Sequence, residues 1–313
     1  MFEWLITRPM GFIISHIYDI VHNYGLAIII FTVIIKLILL PLNVKSQKSM
    51  KKQQKIQPYV MELQKKYAND QEKLQREMMK LYRDNNVSMA GGCLPILIQM
   101  PILVGLYTVI RMPLSFLLGV NFMEQATIDK VYALRDAMAA SIGNLATATE
   151  EMIANQAQIQ LSRWSEIVNG INDPWVINFN FCGLDLSSVP STAINYIMRA
   201  DFSQPAIIAL LLIPVLAVLS SLLSMKISQA QSGQNLSEND SANQMNKSMM
   251  LMMPVMTGIF TFTLPSGMGL YWIISSVMQV LQQVILNRYL DKKGEDIIVT
   301  IPEKNSKHKG KKR

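Results

Sequence analysis

Lys36 is the only charged side chain in the apolar run Tyr24 to Leu42. An ammonium group near the centre of a bilayer costs about 2.5–3.5 kcal/mol on insertion scales, and it is tolerated where it faces a bundle interior or a wet cavity. It is also tolerated where the side chain snorkels to the interface, and Pro41 lies only five residues further on. Both readings fit Lys36 taken alone. Other polar residues in the long apolar runs include Gln99, then Ser220, Ser221 and Ser224, then Gln279, Gln282 and Gln283. Singly, each is ordinary glue between packed helices. Together with Lys36 they fall in the same half of the membrane once sidedness is applied, which predicts a hydrophilic cavity open on one side only. Arg111, Ser115 and some threonines are exceptions in the opposite half, expected near the outer interface or bonded to backbone.

This set is poor material for bond-breaking chemistry. The three histidines, His16, His22 and His308, all lie outside the apolar runs, and no Gly-x-Ser-x-Gly elbow occurs. No nucleophile stands beside a base and no metal-ligand spacing recurs, so neither an enzyme, a cofactor nor a metal is expected. The two cysteines, Cys93 and Cys182, fall on opposite sides of the predicted membrane, so no disulfide is expected.

The polar residues need elements to hold them. Half of the 313 residues are hydrophobic, against 29 Lys plus Arg and 22 Asp plus Glu, so the apolar residues are segregated into runs. A helix of about 20 apolar residues crosses the hydrocarbon core. The runs at 24–42, 95–118, 204–226, 249–264 and 267–289 predict an all-α polytopic membrane protein with five transmembrane helices. The last two are divided only by Pro265 and Ser266, which suits a tight hairpin at one face.

Sidedness follows from the loops. Residues 43–94 hold eleven basic and five acidic side chains, which makes that segment cytoplasmic. Residues 119–203 hold four basic and nine acidic and are expected to form a partly helical extracellular loop. The N-terminus is then outside and the basic tail 290–313 inside. A cleaved signal is not expected, since Glu3 and a lone Arg8 make a poor leading region.

Between the first two spans, Ile56, Val60, Leu63 and Tyr67 form one helical stripe and Leu74, Met78 and Leu81 another, predicting a cytoplasmic antiparallel helical hairpin. Asn69 and Glu72 have the spacing of a capping box at its second helix. Residues 1–23, with Ile13, Ile17, Ile20 and Val21 at helical spacing, predict an amphipathic helix at the outer interface. The segment 227–248 is a polar cytoplasmic connection. Met245, Met249, Met250, Met252, Met253 and Met256 crowd the entry of the fourth span, as core filler or as an adaptable client surface. Lys304 to Arg313 carry six basic side chains, suited to ribosomal RNA or to anionic lipid.

Several motifs in one order resemble the YidC-type membrane protein insertases (the YidC/Oxa/Alb family) in their compact bacterial form. They are Lys36-Leu37-Ile38-Leu39-Leu40-Pro41-Leu42, Gly91-Gly92-Cys93-Leu94-Pro95 with Gln99-Met100-Pro101, Leu184-Asp185-Leu186-Ser187, Met253-Pro254-Val255-Met256, and Leu264-Pro265-Ser266-Gly267 followed by Leu270-Tyr271-Trp272. The resemblance implies a bacterial plasma-membrane protein that inserts nascent membrane proteins, alone or with the secretion translocon. It implies a groove open to cytoplasm and lipid, into which Lys36, Gln99, Ser220, Ser221, Ser224, Trp272 and Gln279 would face, with no cofactor. The family more often has arginine at the place of Lys36 and glutamine at that of Ser224. No lipoprotein-type cysteine stands near the start. A solute transporter is the alternative, but the inverted repeat common in that class is not evident.

Overall fold

The computed structural model describes residues 3–87, 94–142, 158–199, 202–203, 205–232, 252 and 254–292. The fold is all-α, with one two-stranded hairpin among the described residues, and the chain divides into two compact units. Among the described residues two helices are long and apolar enough to cross a membrane, Pro205–Ser228 and Ser266–Tyr289. A third joins them if Tyr24–Ile38 and Leu40–Gln53 count as one interrupted span.

The first unit comprises residues 1–38, 98–227 and 236–281. Its first helices are α1 (Arg8–Val21) and α2 (Tyr24–Ile38). Phe31, Ile28, Ala27 and Tyr24 of α2 are buried against Met10, Ile14 and Tyr18 of α1. α1 buries Met10, Gly11, Ile14 and Tyr18, and of the stripe Ile13, Ile17, Ile20 and Val21 all but the exposed Ile20 pack half-buried against the same core. α1 also comes close to the helix that carries Gly105. Gly105 has no side chain, and a Cβ there would meet Met10 Sδ at 2.8 Å and Ile6 Cγ2 at 3.0 Å. α2 stops at Ile38 because proline at 41, lacking an N–H and colliding with the preceding turn, breaks the ladder.

α5 (Leu94–Arg111) has 18 residues, about 27 Å at about 1.5 Å per residue, and ends before a one-turn α6 (Pro113–Phe116). The segment 119–203 holds α7 (Gln125–Ile142) and α8 (Gln158–Asn169). A hairpin follows, β1 (Asn180–Phe181) paired antiparallel with β2 (Leu184–Asp185). Both turn residues, Cys182 and Gly183, have φ near +54° and +80°, the left-handed pair that two-residue hairpins require. Then come α9 (Thr192–Met198), α10 (Pro205–Ala209), α11 (Leu212–Ser232), α12 (Pro254–Thr263) and α13 (Ser266–Lys292). The third and fifth apolar runs therefore continue as helix beyond the predicted ends at 226 and 289.

The second unit comprises residues 39–97, 228–235 and 282–313. α3 (Leu40–Lys66) and α4 (Gln71–Asp84) form the expected hairpin around Ile56, Val60, Leu81, Tyr82 and Val87. The cap of α4 lies one residue after the expected one, on Asp70, whose carboxylate accepts from the Lys73 N–H at 3.0 Å. Asp places its oxygen as well as Asn does. Within this unit Asn43 donates to Gln282 at 3.3 Å, and Ser228 pairs with Gln283. Met245, Met249, Met250, Met253, Cys93, most of the 227–248 connection and the basic tail from 293 lie outside the described residues. Met252 and Met256 are both exposed.

Candidate functional site

Lys36 stands in the last turn of α2 and is only 9 % exposed. One turn before it, Thr32 is fully buried and donates its hydroxyl to the Ile28 carbonyl at 2.6 Å, which satisfies the hydroxyl without a partner helix. Two hydroxyl residues of other helices do the same. Thr261 donates to the Thr257 carbonyl, and Ser220 to the Ala217 carbonyl at 2.9 Å. Ser224 is buried and Ser221 half-buried. The predicted serines thus line the inward side of α11, while its outward side presents Leu212, Val215, Leu216, Leu219 and Leu223.

Gln99 does more than glue. Its amide donates to the Tyr271 hydroxyl at 2.5 Å, and Ser275, one turn along α13, also bonds that hydroxyl. A polar chain therefore joins α5 to α13 between otherwise apolar faces. Trp272 is half-buried and stacks flat on Phe260 of α12, centroids 6.1 Å apart at 7°. Gln279 is exposed. Thr32, Thr257, Thr261, Tyr271 and Ser275 belong to the buried polar set, yet they were not singled out in the sequence. Thr32 and Ser275 could have been found, since they sit four residues from Lys36 and Tyr271 on the same helical faces.

At one end of this unit, main-chain hydrogen bonds tie the helices to the segment that precedes α9. The Tyr24 N–H donates to Asn178 O at 3.1 Å, the Ser266 N–H to Ser188 O at 2.9 Å, the Gly267 N–H to Leu186 O at 2.8 Å and the Ser191 N–H to Phe262 O at 3.0 Å. The start of α2 and the turn between α12 and α13 are thus clasped by one segment, 178–191. Phe181 fills the space over Gly25, where a Cβ would come within 2.5 Å of its ring. Arg163 of α8 donates to Asp185, to Ser187 at 2.5 Å and to Ser188 at 3.0 Å, fixing the segment from outside. Further out, Lys130 donates to both oxygens of Asp173 at 2.8 and 2.9 Å and lies 4.5 Å from the centroid of the Trp175 ring. Burial pushes the Asp173 carboxyl up, but bonds from Lys130, Ser165 and the Trp175 N–H, with the Lys130 charge, outweigh it and hold the group at about 2. Burial raises the Tyr18 phenol, opposed by the Asn178 N–H that it accepts.

No group of His, Cys, Asp or Glu suited to a metal occurs among the described residues.

Residues 16–293 match the family described as "60Kd inner membrane protein". The chain belongs to this family. Relatives described as "Membrane protein insertase YidC" include one from Clostridium perfringens (strain 13 / Type A), 31 % identical over 90 % of this chain and 86 % of that protein. Another, from Caldanaerobacter subterraneus subsp. tengcongensis, is 29 % identical over 90 % of this chain and 94 % of its own length. A third, from Syntrophus aciditrophicus (strain SB), is 49 % identical over 34 % of this chain and 19 % of its own. The 60Kd inner membrane protein match runs from within α1 to the end of α13, so it takes in every helix of the buried polar set.

Proposed function

We propose that this member of the 60Kd inner membrane protein family is a membrane protein insertase and chaperone. It helps nascent membrane proteins enter and fold in the bilayer through a hydrophilic groove open to cytoplasm and lipid. The observation that carries this reading is Lys36, buried in an apolar helix beside Thr32. A positive charge held there attracts the acidic residues of a client's translocated tail, and low surrounding dielectric strengthens the attraction relative to bulk water. The groove shortens the hydrocarbon path that a polar tail must cross, while the client's apolar segment moves into lipid and its burial drives the step. Names shared by the relatives support this reading and lend none to solute transport.

The finer reading has five spans, at 24–42, 95–118, 204–226, 249–264 and 267–289, with the N-terminus outside and the C-terminus in the cytoplasm of a bacterial cell. Gln99, Ser220, Ser221, Ser224, Trp272 and Gln279 act with Lys36 as groove residues. The basic tail meets the ribosome, and the protein acts alone or beside the secretion translocon.

The test is insertion of paired clients that differ only in tail charge, normalised to stable protein. Lys36→Ala is expected to impair the acidic-tailed client most and Lys36→Glu more still. Lys36→Arg keeps a permanent charge and is expected to preserve insertion. Equal insertion of both clients by wild type and Lys36→Ala would remove the charge from the mechanism.

A further inference from the structure

We infer that α9 is an amphipathic foot that inserts its outward apolar face into the outer leaflet, where it meets phospholipid acyl chains at the base of the third span. The inference rests on the membrane-spanning reading of α11. In the seven residues of α9 only Ala193 is buried. Ile194, Ile197 and Met198 are exposed, spaced to share one face, and Phe202 continues the apolar surface just after the helix. Met198 is 80 % exposed and Phe202 66 %. Asn195 and Arg199, both exposed, lie on the other side of the same helix.

Three observations choose lipid as the occupant. The Ser191 N–H, one residue before α9, donates to the Phe262 carbonyl at 3.0 Å, which places α9 level with the outer end of α12 and the turn to α13. Along the chain from α9, Pro205 and Ala206 at the start of α10 are exposed, and so are Leu212, Val215, Leu216, Leu219 and Leu223 of α11, the face that a spanning helix turns to hydrocarbon. Finally, the sides of α9 are divided as interfacial helices require, apolar towards the acyl chains and Arg199 able to reach a phosphate. A foot of this kind fixes the depth at which α11 enters the bilayer, on the same helix that carries Ser220, Ser221 and Ser224.

Depth can be read by spin labels in the full chain with Cys93→Ser and Cys182→Ser, reconstituted in vesicles of phosphatidylcholine and phosphatidylglycerol. Single cysteines are placed at Asn195, Ile197, Met198 and Leu219, and collision with oxygen is compared with that of a water-soluble nickel chelate. Ile197→Cys and Met198→Cys are expected to give oxygen-to-nickel ratios several-fold above that of Asn195→Cys, with Leu219→Cys higher again. If Met198→Cys reads as aqueous while Leu219→Cys reads as lipid, the foot is wrong and the spanning reading stands. If both read as aqueous, the spanning reading itself fails. Protection of Met198→Cys from both reagents would mean that protein, a second copy or a partner, covers the face, and would equally overturn the proposal. The sites are exposed, so each labelled variant should melt as the parent does, and one that melts differently is replaced by the label at Phe202.

Discussion

The Gln99 amide of α5 and the Tyr271 hydroxyl of α13 form a hydrogen bond of 2.5 Å, with Tyr271 only 2 % exposed. Removing one partner leaves the other unsatisfied in an apolar interface, at a cost of about 1–3 kcal/mol. Inter-helix bonds in membrane proteins average nearer about 0.6 kcal/mol in double-mutant cycles, because the unfolded helices also find partners. Tyr271→Phe is therefore expected to cost about 1 kcal/mol, and Gln99→Leu with Tyr271→Phe less than the sum of the single changes. Unfolding in mixed micelles measures this, and strictly additive effects would show that the bond contributes nothing.

Gly25 and Phe181 give a steric prediction. A Cβ at position 25 would lie 2.5–2.7 Å from three atoms of the Phe181 side chain, closer than side chains approach, so the ring must leave its place. Gly25→Ala is expected to destabilise by about 1–3 kcal/mol through overpacking. Adding Phe181→Ala should recover part of the loss. A Gly25→Ala protein as stable as wild type would mean that the clasp is looser than its hydrogen bonds indicate.

The Lys130–Asp173 pair predicts a pH dependence. The folded carboxyl titrates at about 2, below its unfolded value of 3.8. Its stabilisation is whole above the unfolded value and is lost as pH falls through the folded one. Thermal unfolding should therefore lose stability between about pH 4 and pH 2. Asp173→Asn should remove this component and cost about 1–3 kcal/mol at neutral pH. An acid profile identical in wild type and Asp173→Asn would assign the acid sensitivity to other carboxylates.

Topology is open to a direct reading with the native thiol. Cys182 is exposed in the hairpin turn, so in a Cys93→Ser background an impermeant maleimide should label it from outside intact cells. Ser49→Cys, in the same background with Cys182→Ser, should label only after lysis. The opposite pattern would invert the whole sidedness.

The tail prediction concerns salt. Six basic residues between Lys304 and Arg313 would displace counterions from ribosomal RNA, so co-sedimentation should fall steeply as salt rises. Deleting 304–313 should abolish the low-salt binding, and unchanged binding would place the contact elsewhere.

The hydropathy pattern and hairpin stripes foretold the helices well, because both record burial repeated at helical spacing. Lys36, Gln99 and Ser224 stood out in the sequence because a polar residue in an apolar run has few acceptable surroundings, and each is buried or half-buried in the fold. Tyr271 was passed over as part of a motif, since tyrosine is amphipathic and only the approach of Gln99, 172 positions away, reveals its polar use. The clasp was illegible because main-chain groups make most of it, and every residue type carries those. Gln279 was chosen by helical half alone, which does not say which way a side chain points.

The hairpin of α3 and α4 packs Ile56 and Val60 on Leu81, Tyr82 and Val87, all within a short stretch of chain. Contacts so local form quickly, and synthesis delivers only about 5–20 residues per second. If this segment is cytoplasmic, as its basic charge predicts, the hairpin can therefore be complete while the second span is still inside the ribosome. A folded knot of that kind cannot be drawn back through the bilayer, so it would act as a ratchet pawl for the first span during the protein's own biogenesis. Stalling translation soon after residue 87 clears the ribosome should already yield a protease-resistant hairpin, and Leu81→Asp should abolish it.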